Sequence, residues 1–128
     1  MRDLISNIGI VTAIAPAVLA ATTTGAALDT LGFNAVAVVV TTGAIVGAGD
    51  FTVKLQESDT TTSGDFTDVA AGQLKGALPA SLAADSVVKA GYIGFKRYLR
   101  VVATKNGGTS IAASLVLLKG DAAKRPVA

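Results

Sequence analysis

The chain contains no cysteine, no histidine and no tryptophan. Without cysteine there is no disulfide framework, no thiolate nucleophile and no thiolate-ligated zinc. Without histidine the usual general base near neutral pH and the commonest metal ligand are missing. Aromatic residues are scarce: two tyrosines (Tyr92 and Tyr98) and four phenylalanines. A sugar-binding face normally uses exposed aromatic platforms, so a lectin-like role loses ground. Charge is scarce as well. Charged residues make up 16% of the chain, against roughly 25% in an ordinary soluble domain. A surface so short of charge points to association, although the many Ala and Gly residues inflate the apolar count without making a sticky patch. The net charge of +2 is too small to argue for nucleic acid.

What is present is a chain of 128 residues, 51% hydrophobic, enough for one domain with its own core. Residues 8–21 (IGIVTAIAPAVLAA) form an apolar run that ends in small residues, as a signal peptide would. Asp3 offsets Arg2 and Pro16 interrupts the run, so it is read as structure rather than address. It is also shorter than the ~20 residues of a membrane-spanning helix, and no membrane role is expected.

No segment carries a helical period capped at both ends. Short apolar or alternating runs recur between Gly, Asp, Asn and Thr clusters, which predicts an antiparallel β protein. Residues 11–15 and 17–21 flank Pro16, which lacks a backbone donor and suits an edge strand or extended arm. Residues 26–31 fit a short strand. Residues 35–42 (AVAVVVTT) are apolar on both faces, the mark of a strand covered on both sides. The glycine-spaced stretch 43–50 breaks that run. Residues 51–58 (FTVKLQES) alternate, with Phe51, Val53 and Leu55 on one face. With the polar turn 59–65 and a return strand 66–69 they predict a hairpin. Residues 70–84 read as a short helical turn or a meandering connection, since Pro79 argues against one continuous helix.

Strands follow at 86–91 and 92–95, then at 97–104 with Leu99, Val101 and Ala103 facing inward. The turn 105–109 (KNGGT) permits positive φ, and 110–118 returns with Ile111, Ala113, Leu115 and Leu117 on one face. About eight strands at this spacing predict a two-sheet antiparallel β-sandwich, jelly-roll or Ig-like. Its parts are an N-terminal arm or edge strands at 1–21, the sandwich at 22–120 and a polar tail at 121–128.

Catalytic constellations are missing. A serine triad needs histidine, and the glycines of 43–49 lack the Lys-Ser/Thr that follows a phosphate loop. The only acidic group is Glu57, Asp59, Asp65 and Asp68 around the predicted hairpin. Oxygen ligands there suit Ca²⁺, but the spacing matches no EF-hand loop, and a solvated turn uses the same residues. No cofactor, catalytic residue or small-molecule substrate is expected. Downstream of Val88 stand Lys89, Lys96, Arg97, Arg100, Lys105, Lys119, Lys124 and Arg125, opposed only by Asp121. Of these, Arg97, Arg100, Lys105, Lys119, Lys124 and Arg125 form the candidate partner-contact surface. The bland alternative is charge that deters edge pairing. Aromatic interleaving is thin, so an acidic protein neighbour fits better than nucleic acid.

The segments FTVKLQESDTTTSGDFTDVAA and GYIGFKRYLRVVATKNGGTSIAASLVLLKG, the terminal RPVA, and IAPAVLAATTTG near the start carry a resemblance. Together they resemble small virion structural proteins of tailed bacteriophages and prophages, of the head decoration or minor capsid type. The resemblance spans most of the chain, but its motifs are structural and transfer no site residue. It implies a decoration or cement protein that binds the outside of the head and clamps neighbouring capsid subunits. The implied partners are the major capsid protein or other virion proteins, in a homo-oligomer or lattice-bound multimer. The implied location is the virion, assembled in the bacterial host cytoplasm. Two alternatives stand beside it: a tail or head–tail connection protein, and a secreted β-sandwich binding module with a groove at Tyr92, Tyr98 or the acidic hairpin.

Overall fold

The computed structural model describes residues 3–124. Among the described residues ten strands form two antiparallel sheets. The front sheet is built from β1 (Gly9–Leu19), β10 (Ser110–Ala122), β4 (Phe33–Val46), β8 (Val87–Tyr92) and β7 (Leu74–Lys75), in that spatial order. The back sheet sets β9 (Tyr98–Gly107) beside β5 (Asp50–Ser58), which pairs with β6 (Thr67–Asp68). Along the other side of β9 lie β2 (Thr23–Thr24) and β3 (Leu28–Asp29). With β2 and β3 counted as one interrupted strand and β7 as an added edge, this order is that of a jelly roll. Of the two sandwiches expected from the sequence, the Ig-like order is not the one found.

The core lies between the sheets and follows the period of two. Val36, Val38 and Val40 of β4 and Ile111, Ala113, Leu115 and Leu117 of β10 face inward from the front. Phe51, Val53 and Leu55 of β5 and Leu99, Val101 and Ala103 of β9 meet them from the back. The inward positions of 51–58, 97–104 and 110–118 are those the alternation predicts.

Several boundaries differ from expectation. The first segment lies as an edge strand, since Gly9–Leu19 pairs along β10 with irregularities around Ile14 that accommodate Pro16. β4 does not stop at Thr42 but runs through Gly43 to Val46. The strands expected at 86–91 and 92–95 are one strand ending at Tyr92. β10 reaches Ala122, two residues into the expected tail. Residues 70–84 hold a single 3₁₀ turn, Ala71–Gln73, before β7.

The turn at 105–109 does not close a hairpin. β9 belongs to the back sheet and β10 to the front, so the chain crosses between sheets there. The connection from β4 to β5 crosses at the same end, because Val46 pairs with Ser110 and Asp50 with Gly107. The β4–β10 ladder thus continues around the corner as the β5–β9 ladder.

Glycine makes the two corners fit. Gly47, Ala48 and Gly108 have positive φ, and a Cβ on Gly108 would run into the Ala48 carbonyl. Gly108→Ala is therefore expected to destabilise the protein by about 2–3 kcal/mol, from left-handed strain plus the clash. Gly107→Ala, whose Cβ meets open space without positive φ, should stay within about 1 kcal/mol. Urea unfolding of the two variants, one residue apart, checks this.

Candidate association surface

The sequence-predicted basic residues do not gather into one surface. Arg97, just before β9, donates from Nε and Nη2 to both carboxylate oxygens of Asp29 at 2.9 and 2.8 Å. Its guanidinium also stacks 5.0 Å from the Tyr98 ring centre. Arg100 lies on the outer face of the back sheet, donating to Gln56 (2.7 Å) and Ser63 (2.9 Å) and covering the Phe66 ring. Lys119 extends over Phe33 and approaches the Asp29 carbonyl. Lys105 stands at the far end of β9, seven residues from Tyr98, or roughly 23 Å along the strand. Lys124 is exposed beyond β10, and Arg125 lies outside the described residues. The structure thus brings Arg97 and Lys119 together around Asp29, and holds Arg100 and Lys105 apart from them.

The acidic hairpin is likewise engaged. Glu57 accepts a 2.6 Å hydrogen bond from the Tyr92 hydroxyl, Asp59 pairs with Lys96 at 2.7 Å, and Asp65 accepts from Thr60. Asp68 accepts from Gln56 at 2.8 Å and pairs with Lys54 at 3.4 Å. Among the described residues no group of three acidic side chains is placed to hold a metal ion. Burial, reinforced by the bond to Glu57, pushes the Tyr92 hydroxyl's pKa up, so it remains a donor at every working pH.

The residues that sequence reasoning missed are apolar ones on the surface. At the end of the sandwich where β4 starts and β8 ends, Leu31, Ile93 and Phe95 are exposed, Phe95 by 87%. Leu31 and Phe95 line a cleft of about 310 Å³ formed by residues 30–34 and 94–97 with the buried Val36 and Tyr92, and Ile93 is exposed in the same connection. Leu4 and Ile5 are exposed beside the start of β1 at the same end. The Asp29–Arg97 and Lys96–Asp59 pairs lie beside this apolar group. The sequence reading set Leu31 in a strand over 26–31 and Ile93 and Phe95 in one over 92–95, whereas all three sit in connections.

The two outward sheet faces differ sharply. The back sheet carries Lys54, Gln56, Arg100 and Asp68 in a polar network. The front sheet presents Ile10, Val18, Ala37, Val39, Val116, Leu118 and Val87, with Lys89 and, on edge strand β7, Lys75 as charged side chains among its outward strand positions. Residues 4–28, which include all of edge strand β1, contain no charged side chain.

No family model matches the chain, and no curated protein matches it. Among solved structures, the crystal structure of PirA is similar over 94% of this chain and 98% of its own, at 12% identity and a TM-score of 0.45. The structure of infectious bursal disease virus Gx strain is similar over 92% of this chain and 34% of that one, at 16% identity and a TM-score of 0.44. Neither likeness bears on function at that degree of overlap. No helix among the described residues is long and apolar enough to cross a membrane.

The Asp29–Arg97 pair gives a pH signature. The bidentate Arg97 hydrogen bond, with the Leu31 amide, lowers the Asp29 carboxyl from 3.8 to about 2. A depressed carboxylate stabilises the fold fully above its unfolded pKa and loses that contribution as pH falls through the folded value. The pair's contribution should therefore fade between about pH 4 and pH 2. Asp29→Asn is expected to flatten the stability–pH curve in that window and to change little at neutral pH, since the pair is half exposed. Thermal unfolding across the acid range checks it.

Proposed function

We propose that this chain is a non-enzymatic structural protein of a tailed-phage virion. In this reading it sits on the outer surface of the head as a decoration or cement protein and bridges neighbouring capsid subunits. The observation that carries it is the apolar end: Phe95 and Leu31 at a cleft with Ile93 exposed in the same connection, bordered by the Asp29–Arg97 and Lys96–Asp59 ion pairs. An apolar centre with a polar rim, including an aromatic and an Arg, has the composition of a protein–protein interface. Satisfied rim charges add orientation at little desolvation cost.

Three further points support the reading. The sequence resembles small virion structural proteins across most of its length. Jelly rolls are used by viral capsid domains, a fold-level analogy that also covers lectins and cupins. Many copies on a lattice reach high avidity from modest single contacts, which suits a surface patch of this limited extent. The partner is the major capsid protein or another virion protein; the tail or head–tail connection is the competing location.

Purified particles test the location. Surface labelling should find the chain on heads in hundreds of copies, whereas a single ring at the tail vertex would favour the connector. In rebinding to heads stripped of the protein, Phe95→Ala should weaken attachment by roughly thirtyfold, about 2 kcal/mol. Its fold should be intact, because the ring is almost wholly exposed. Unchanged rebinding would remove the apolar end from the account.

A further inference from the structure

The front sheet's outer face has a property that the apolar end does not share: it is complementary to itself. β4 and β10 are the central strands of that sheet, and both carry apolar residues on both faces. Their inward sides fill the core, while Ala37, Val39, Val116 and Leu118 point outward and stay partly exposed among the described residues. Strands patterned in this way are normally covered on both sides.

The register fixes how the outward residues are laid out. One row across the sheet reads Ile10, Leu118, Ala37, Gly91 from β1 to β8. The row is bulky on one half and small on the other. The next reads Thr12, Val116, Val39, Lys89, and the one after includes Ser114, Thr41 and Val87. A two-fold axis parallel to the strands, between β10 and β4, lays β1 of one copy over β8 of the other. It also lays β10 over β4. Ile10 then meets Gly91 of the second copy, Leu118 meets Ala37, and Val116 meets Val39. Lys89 falls opposite Thr12 at the rim rather than opposite its own equivalent, and Lys75 of edge strand β7, beside Gly91, lies beyond the four overlaid strands. An axis across the strands would instead bring the two β8 strands together, with bulky residues on bulky and Lys89 close to Lys89, which costs repulsion.

We propose that two copies of this chain associate through the outer face of the front sheet, related by a two-fold axis parallel to the strands. The partner is a second copy because the face is largely apolar and its Ile10–Leu118–Ala37–Gly91 row is matched, bulky to small, to its own rotated image. The size is sufficient. Three strands used over about nine residues and β8 over its six, about 4.8 Å apart, give a face of roughly 500 Å². Two such faces remove roughly 1,000 Å² before side-chain relief is counted, the size at which a specific interface begins. The contact is isologous and closed, so it ends at a dimer instead of a fibre. It leaves the polar back sheet and the apolar end free, and it does not depend on the virion reading.

Sedimentation equilibrium of the full chain tests it. The wild type should run at twice the 12.7 kDa of the monomer, and Val116→Lys should weaken association at least tenfold. Thr104→Lys, on the back sheet, should leave association unchanged. A wild type that stays monomeric, or a Val116→Lys protein that dimerises like the wild type, overturns the proposal. Because the chain has no cysteine, cross-linking with a short bismaleimide tests the axis independently of any loss of folding in the lysine variant. A mixture of Ile10→Cys and Gly91→Cys chains should link faster than either chain alone. Equal or faster linking of Ile10→Cys to itself overturns the strand-parallel axis.

Discussion

The structure hangs on one two-stranded ribbon that is bent over on itself. Residues 33–58 pair antiparallel with residues 98–122, first as β4 with β10 and then, past the corner, as β5 with β9. Folding that ribbon once presses its two halves together. The inward side chains of the halves, among them Val38, Val40, Leu115, Leu117, Phe51, Leu99 and Val101, become the core. The remaining strands are additions to its edges. The bend is possible only where both strands turn together, and this is why Gly47, Gly49 and Gly108 meet the neighbouring corner's backbone or side chain so closely. A ribbon of this kind joins segments far apart in sequence, so its closure entropy must be offset by the whole core at once.

With the ribbon fixed, the fate of each outer surface follows from its side chains. On the back sheet Lys54, Gln56, Arg100 and Asp68 satisfy one another. On the front sheet the same strand geometry displays Val and Ala. A fold that needs only one buried side per sheet gains nothing internally from apolar residues on the other. Their presence on β1, β4, β8 and β10 belongs with association. The charge-free stretch 4–28 extends the same character to the free edge of β1, where Pro16 and the irregular register, rather than charge, discourage uncontrolled strand addition.

Much of this was legible in the sequence, and the misses share a cause. The alternation of 51–58 and 97–104 located the inward residues, since a period of two is a local property. The Asn-Gly-Gly turn was legible as a turn because positive φ is local too. Its sheet crossing was not, because the choice between hairpin and corner is made by distant burial. The basic C-terminal half looked like a patch because charges were compared along the chain. Arg97 and Lys96 find their acids 68 and 37 residues away, and pairing at that separation leaves no trace in local composition. Phe95, Ile93 and Leu31 were read as strand residues at 92–95 and 26–31; they lie in connections, and only the fold brings them to one end.

The self-association proposed for the front sheet rests on the two outward sheet faces differing in kind. Methyl relaxation by a soluble paramagnetic agent tests it most directly, residue by residue. At high protein concentration the methyls of Val39, Val116, Leu118 and Ile10 should be shielded and become exposed on dilution, while the threonine methyl of Thr104 on the back sheet stays accessible throughout. If the front-sheet methyls are as accessible as Thr104 at every concentration, the account is contradicted.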